Sequence, residues 1–575
     1  MKKVTHQAEF CVVGGGLAGM CAAITAARKG IKTVLMHDRP VLGGNASSEI
    51  RMWVLGAHGE NKLETGLIEE IRLENLYRNH YPNFSIWDSI LYEKVRFQEN
   101  LILLLNCSCN QAEMSGQAIK SITGWQLTTE TFHTVKADLF ADCSGDSILA
   151  PLTGAEFRIG REGRQEFGES IAPEVADRRT MGMSCLIQAR ETDSPQKFIP
   201  PFWANKYLSD ESFPHREHEL GGTQNFWWLE IGGENDTIHD TETLRDELLK
   251  IAFGVWDHIK NHGSHGADNW LLEWVGFLPG KRESRRYVGD YIMTQNDVAA
   301  AGRFEDIVAY GGWSMDDHHP QGLNYPGEPT IFHHAPSPYG IPYRSLYSKN
   351  IDNLFFAGRN ISVTHSAMSS TRVMATCASL GQTIGTAAAI ALKNTLSPRG
   401  VYQQKLQELQ QDLMWDDAWL PGLHRKISEL SLRAELKASS GDPEPLRNGT
   451  DRPVGDDGNC WEGTAGDWVE YSFKLVVQIN QVRIVFDSNL NRERRFMLAE
   501  YPLQIQYFTT PETLVSGFHI EAEDASGKVI EIFRQKNNYQ RLFRLQLPFT
   551  ARRVRLCIDA VRGNGSRKIF SFDLK

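Results

Sequence analysis

Hydrophobic and polar positions along the chain switch between two periods, and each switch marks an element. Glu9 to Val13 is a short β-rich run, Leu17 to Lys29 an alanine-rich stretch with helical spacing, and Thr33 to Met36 a second β-rich run. That order predicts a βαβ unit, two parallel strands joined by a crossover helix. Glu69 to Glu99 is charged and helical in pattern, and Leu101 to Leu105 and Val135 to Phe140 follow as strands of a meander. Residues 161 to 345 are rich in Trp, Arg, His and Gly and hold no sustained period, which predicts an α+β insertion. Residues 350 to 392 return to strand then helix, and Val401 to Met414 predicts a polar, Gln-rich helix.

Beyond about residue 430, eight or so short alternating runs separated by turn residues predict an all-β sandwich. They include Val469 to Lys474, Gln481 to Asp487, Leu503 to Thr510, Val529 to Phe533, Arg552 to Ile558 and Ile569 to Leu574. The turn-rich text SSGDPEPLRNG marks the boundary. The expected division is 1–160 with 346–398 as a discontinuous α/β domain, 161–345 as a substrate domain, 399–429 as a helical connector and 430–575 as the sandwich.

Val373 to Leu392 is apolar enough to span a membrane, with Gly381 and Gly385 at GxxxG spacing. Thr376, Ser379, Gln382, Thr383 and Thr386 interrupt it, so the expectation is a tightly packed interior helix and no membrane span. At 575 residues, 41% hydrophobic and 23% charged, the chain has ample length for large buried cores. A net charge of −10 exerts no global pull on polyanions, so nucleic acid is not expected as a partner. Nine scattered cysteines without a CxxC pair fit a reducing compartment and suggest neither an iron–sulfur cluster nor a structural zinc. The N-terminus carries no small-residue cleavage site, which points to the cytoplasm, a processed periplasmic form being the alternative.

The turn after the first strand carries Gly14, Gly16 and Gly19 in GxGxxG register, with Leu17 and Ala18 between them. Placed after a strand and opening a helix, this register lets a pyrophosphate meet backbone N–H groups and the positive end of the helix dipole. In such folds an acidic residue at the end of the second strand takes the ribose hydroxyls. That position falls on His37 or on the neighbouring Asp38, with Arg39 following.

Three longer stretches carry a family resemblance: DRPVLGGNASSEIR (Asp38 to Arg51), ADCSGD (Ala141 to Asp146), and the run from Ile351 to Ala389. With RESRRYVGDY (Arg282 to Tyr291) and YGIPYRSLY (Tyr339 to Tyr347), residues 8 to 420 resemble the FAD-dependent oxidoreductases related to fumarate reductase flavoproteins. The resemblance implies an α/β Rossmann-like FAD-binding fold with an inserted α+β substrate domain, plus a C-terminal all-β sandwich. It implies FAD as the cofactor. Gly43, Gly44 and Asn45, with Ser48 beyond, then resemble the flavin-cradling loop, and Gly145 and Asp146 sit where the family's strand-end loop passes the adenosine half. Asp146 reads equally as a helix cap. Gly358 and Arg359 resemble the pair along the ribityl phosphate chain. Ser369, Ser370 and Thr371 are expected to cap the long apolar helix, whose N-terminus the family aims at the flavin pyrimidine edge. Asn45 and Ala46 occupy the neighbourhood where some relatives attach flavin through histidine, so the FAD is expected to be non-covalent.

For proton transfer, His365 is the leading candidate, and His318 and His319, beside Asp316 and Asp317, form the next constellation. A metal at this second group is not expected. Arg285 and Arg372 are candidates for catalysis, and Arg51 and Arg372, which flank cofactor motifs, for binding an anionic substrate or neutralising reduced flavin, the flavin side being preferred. Trp227, Trp228 and Trp313 read as core before they read as a sugar platform. In the sandwich, Asn448, Gly449, Arg452 and Trp461 resemble a galactose-binding-like, discoidin-type module. Three functions stay open: hydride transfer from a small-molecule sugar or polyol hydroxyl to flavin N5, reduction of an activated double bond, and glycan binding with a vestigial flavin domain. The electron acceptor and the oligomeric state are not read from the chain.

Overall fold

A computed structural model describes residues 1–220, 225–497 and 507–575. The chain divides into two compact units. The first comprises Met1–Ala57, Tyr81–Leu409 and Arg495–Tyr507, and the second His58–His80, Gln410–Arg494 and Phe508–Lys575. The division departs from the expected boundaries in three places: His58–His80, from the N-terminal text, and the connector beyond Gln410 both group with the β-rich unit, and Arg495–Tyr507, from the expected sandwich, groups with the first unit.

In chain order, the elements of the first unit that frame the site are β1 (Phe10–Val13), α1 (Leu17–Arg28), β2 (Thr33–Met36), β3 (Leu101–Leu104), β4 (Leu139–Asp142), β5 (Met315–His318), β6 (Thr330–His333), β7 (Leu354–Phe356), α2 (His365–Thr371) and α3 (Met374–Asn394). Five of these strands form one parallel sheet in the order β7-β4-β1-β2-β3. All residues of β1, β2, β4 and β7 are buried, as expected of a parallel sheet covered on both faces. The run Val135 to Phe140, expected as one strand, straddles two: Thr131–Lys136 belongs to a separate four-stranded sheet, and Leu139 begins β4.

The apolar helix α3 packs on α1, and small residues decide how closely. A Cβ on Gly381 would lie 2.0 Å from the Ala18 carbonyl oxygen, and one on Gly385 would lie 2.4 Å from that of Ala22. α3 passes the length and composition test for a membrane span, yet 89% of its apolar window is buried within the protein. The expected interior helix accounts for it.

The insertion builds its own core around Phe213, Phe226, Trp228, Trp256 and Trp270, against the helix Thr241–Asp257. In the second unit, seven antiparallel strands form one hydrogen-bonded sheet. The runs Val469 to Lys474 and Gln481 to Asp487 are not separate strands: they fall in a single strand, Trp468–Phe486, paired with Leu542–Val561. Register shifts at Ser472/Val477 and Ile479/Gln481 break the alternation and make one strand read as two. Of the strand expected from Leu503 to Thr510, residues 503–506 lie outside the described residues, and Tyr507–Thr510 forms no strand.

Candidate functional site

The C-terminal tips of the parallel strands converge on one edge, where ligands of such sheets bind. Gly14, at the end of β1, has φ +103° and its N–H donates to the Met36 carbonyl at 2.8 Å. A Cβ there would stand 2.4 Å from the Cys143 carbonyl, so only glycine fits. Gly19 likewise lets the first turn of α1 close onto the Gly14 carbonyl. Gly16 differs: a Cβ on it would meet nothing nearer than the Gly44 Cα at 3.9 Å. Gly16 bridges to Gly43, which has φ +103°, and the short 3-10 turn Gly44–Ala46 follows. Gly16 caps α1 with no side-chain hydrogen bond, and the first turn, Leu17, Ala18 and Gly19, holds no acid. The amides and dipole of α1 therefore open onto a space bounded by Gly16 and Gly44, in which a Cβ would intrude.

His37, buried at the end of β2, uses both ring nitrogens: Nδ1 accepts from the Gly15 N–H at 3.0 Å and Nε2 donates to the Val41 carbonyl at 3.0 Å. It shapes the glycine turn, and the exposed carboxylate of Asp38 lies 3.2 Å from its Nδ1. Arg39 lies 3.5 Å from Glu49 and comes within 3.9 Å of where a Gly44 Cβ would stand. Asn45 donates to the Lys281 carbonyl at 3.1 Å, and the Ser48 N–H donates to Asp88 at 3.2 Å. Arg51, at φ +62°, turns toward the insertion: it donates to Gln188 at 2.6 Å and lies over the Trp274 ring at 4.3 Å. Burial brings its pKa down to about 10.

After β4, the N-cap of the next helix is Ile148, with no side-chain cap hydrogen bond, and not Asp146. Asp142 accepts from the Leu149 N–H at 2.8 Å, where a five-residue helix begins, and from the Tyr287 hydroxyl at 2.7 Å. Asp146 instead gathers Lys281 at 2.9 Å and Ser284 and Arg359 at 2.8 Å each. Burial opposes its ionisation, but Arg359 and Lys281 prevail and hold it at about 2. Arg359 lies on Gly145, where a Cβ would touch the guanidinium at 2.4 Å. Gly358 has φ +119°, and a Cβ there would stand 3.4 Å from the Asn360 amide oxygen and 3.7 Å from the Ala18 Cβ. Among the described residues, five buried polar atoms without a hydrogen-bond partner lie on the stretch just beyond: Arg359 Nε, Asn360 Oδ1, Ser362 Oγ, Thr371 Oγ1 and Arg372 Nε. A glycine-lined cradle beside such a row of buried polar atoms fits a polar dinucleotide.

Further out, strand periodicity sorts the Asp316–His319 group. On β5, Asp316 and His318 point to one face and Asp317 to the other. His318 Nδ1 lies 2.6 Å from Glu230 and Nε2 lies 3.2 Å from Asp316. Glu230 also meets Arg282 at 3.4 Å, and Asp316 meets Arg372 at 3.1 Å. This gives one connected polar chain, Arg282–Glu230–His318–Asp316–Arg372. Burial opposes ionisation of Asp316, but His318 and Arg372 hold its carboxyl well below the usual range. On the other face, Asp317 meets His365 Nε2 at 3.1 Å, and Glu283 meets Nδ1 at 2.8 Å. Glu283 also pairs with Arg286, which reaches Glu162 at 2.8 Å.

His365 is therefore clamped between two carboxylates. Burial favours its neutral form, but Glu283 and Asp317 raise its pKa to about 10. Both ring nitrogens donate, so it cannot serve as the proton-accepting base expected of it. His319 stands apart, stacked on Tyr325 at 3.6 Å, and burial lowers its pKa. Arg285 lies over Phe157 at 5.6 Å, outside both chains, whereas Arg282, from the same RESRR text, is buried within one. Ser369, Ser370 and Thr371 do not cap the long helix: they form the last turn of α2, which Thr364 caps through Ala367. The N-cap of α3 is Val373.

Trp228 is core and Trp227 sets an edge against His318. In the second unit, Arg452 is buried and donates to the Asn61 and Leu63 carbonyls and to the Thr65 hydroxyl, while Trp461 donates to the Ser440 carbonyl. Gly449 has φ +81°, and a Cβ there would stand 2.3 Å from the Arg425 carbonyl. Arg452, Trp461 and Gly449 thus serve the fold. The approach of Asp210, His218, His258 and His265 to one another was missed in the sequence, where their separations match no metal motif.

Comparison with known proteins adds the following. The model of the family described as FAD dependent oxidoreductase matches residues 9–413. No match was found among the curated proteins. Among solved structures, the chain is similar to the family 32 carbohydrate-binding module from Streptococcus pneumoniae EndoD, at 13% identity and a TM-score of 0.20, covering 26% of this chain and 99% of that one. It is similar to the family 32 module from C. perfringens NanJ in complex with galactose, at 8% identity, 26% and 97% coverage and a TM-score of 0.19. It is also similar to chitosan-binding module 1 of a Paenibacillus sp. IK-5 chitosanase/glucanase, at 15% identity, 26% and 98% coverage and a TM-score of 0.19.

Proposed function

Because the chain belongs to the FAD dependent oxidoreductase family, we propose that it oxidises a secondary hydroxyl of a neutral polyol, a sugar first among them, to a ketone. Gly14–Gly19, Asp38, Arg39, Gly43–Asn45 and Gly358–Arg359 would hold the FAD without a covalent bond, and the FAD would supply the hydride acceptor, at flavin N5. His319 accepts the hydroxyl proton at its neutral ring as the hydride leaves the adjoining carbon. His365, held as a cation by Glu283 and Asp317, fixes the positions of those carboxylates and keeps its own protons.

The single observation carrying the choice of a neutral substrate is charge balance. Arg282 faces Glu230, Arg286 faces Glu162 and Glu283, and Arg372 faces Asp316. A substrate dicarboxylate needs an arginine fork that is free to grip it, and these three are engaged. Reduction of an activated double bond is therefore the second reading.

The test is anaerobic absorption spectroscopy of the purified flavoprotein against a panel of sugars and polyols. Bleaching of the oxidised flavin band by a member of the panel, lost in His319→Ala, supports the proposal. Failure of the whole panel, together with reoxidation of chemically reduced enzyme by an enoate, sinks it in favour of the second reading.

A further inference from the structure

Within the insertion, away from the strand tips, four side chains from three segments meet. They are Asp210, from the short turn Asp210–Ser212; His218; His258, where the helix Thr241–Asp257 passes into a π-turn, His258–His262; and His265. One ligand atom from each lies within 4.8 Å of all the others. The three histidines are buried and the aspartate is exposed.

The ring partners fix the tautomers. His258 Nδ1 lies 3.0 Å from the Tyr207 carbonyl, and His218 Nδ1 lies 2.8 Å from the Arg216 carbonyl. A carbonyl cannot donate, so each Nδ1 donates to it, and each Nε2 is the ring nitrogen left to face the cluster. Both Nε2 atoms face the same carboxylate oxygen: Asp210 Oδ1 lies 2.9 Å from His258 Nε2 and 3.4 Å from His218 Nε2. His265 Nε2 adds a third nitrogen, 3.2 Å from His258 Nε2 and 3.4 Å from the same oxygen. Four ligand atoms thus converge on one centre.

The spacing matches such a cation. Four ligands about 2.0–2.1 Å from a tetrahedral zinc stand roughly 3.3 Å from one another, close to the four separations above. Histidines whose far nitrogens donate to main-chain carbonyls are the usual second layer of a zinc site. Phe213, with its ring centroid 5.2 Å from those of His218 and His258, supplies an apolar wall. The π-turn beginning at His258 is a further feature often found at functional positions.

We propose that Asp210 Oδ1 and the Nε2 atoms of His218, His258 and His265 bind one zinc-like divalent cation, which clips the 207–218 loop to the end of the long helix of the insertion. Three nitrogens and one carboxylate oxygen select zinc or cobalt over magnesium or calcium, which require oxygen shells.

The test uses the full-length flavoprotein, stripped of metal by a chelator and titrated with Zn²⁺ against a chromophoric competitor. Binding of one equivalent per chain is expected, with visible bands of tetrahedral form on Co²⁺ substitution. Asp210→Ala, at an exposed residue, keeps its FAD and binds zinc about 100-fold more weakly, while His258→Ala abolishes stoichiometric uptake. Cys557→Ser controls for the second histidine-containing group, His519, Glu521 and Cys557, and is expected to leave uptake unchanged. Absence of stoichiometric uptake by the wild type overturns the proposal. So does uptake that survives both Asp210→Ala and His258→Ala, or uptake that Cys557→Ser removes.

Discussion

His365→Gln is the sharpest probe of the first unit, because its effect carries a definite sign in pH. In the folded chain the His365 pKa is raised from 6.5 to about 10, against the pull of burial, by Glu283 and Asp317. A folded pKa above the unfolded one gives stability that is complete below pH 6.5 and is lost as pH rises toward 10. A shift of that size corresponds to a ceiling of about 5 kcal/mol at 1.36 kcal/mol per pH unit. Glu283 is shared with Arg286, so about 2–5 kcal/mol is the working range, in line with the cost of breaking a buried ion pair. Urea denaturation of wild type and His365→Gln at half-unit steps from pH 6 to 10 reads it directly. The gap between the two should be widest near pH 6 and narrow steadily toward pH 10. A gap of constant size across that range would falsify the clamped imidazolium. The pH–rate profile supplies a second readout: an acidic limb below pH 6.5, set by His319, whose pKa burial lowers, should survive in His365→Gln.

Other perturbations separate cofactor seat from scaffold. Gly16→Ala meets no protein atom nearer than 3.9 Å, so it should fold normally by circular dichroism and bind FAD at least tenfold more weakly, about 1.4 kcal/mol. Gly14→Ala drives a Cβ into the Cys143 carbonyl at φ +103° and should lower the melting temperature of apoprotein and holoprotein alike. Asp146→Asn removes a carboxylate held at about 2, below its ordinary 3.8. Its loss of about 2 kcal/mol should be full above pH 4 and disappear toward pH 2, as followed by intrinsic fluorescence. Arg452→Met strips the carbonyls of Asn61 and Leu63 of their donor and should cost about 2–4 kcal/mol in the second unit, with flavin content unchanged.

Local motifs were legible and long-range partners were not. Gly14, Gly16 and Gly19 announce the cradle because turn geometry and helix capping are read within a few residues. The placing of Ser369–Thr371 failed for the same reason: TRVMATCASLG carries no stop signal, and the break rests on Val373 in extended backbone, φ −65° and ψ 142°. His365 looked like a free base because Glu283 and Asp317 lie 82 and 48 residues away. Likewise, Asp210 and His265 are brought together only by the end of a helix and its π-turn, and nothing in their spacing announces it.

The text Asp316-Asp317-His318 shows how one strand changes the chemistry that a motif implies. Taken together in sequence, two carboxylates and a histidine look like one cluster, suited to a metal or a substrate anion. A period of two divides them, so Asp316 and His318 close the chain that ends on Arg372, while Asp317 clamps His365 on the opposite face. Each group is then matched before any substrate arrives. An anionic substrate seeking Arg372 must displace Asp316 and leave that carboxylate buried beside His318, at roughly 3–5 kcal/mol for the broken pair. On the proposed reading a neutral polyol incurs no such cost, since its hydroxyls would donate to the carboxylates and accept from the arginines with both pairs intact. Discrimination against carboxylate substrates would then come from alternation along β5 itself, without a dedicated repulsive residue.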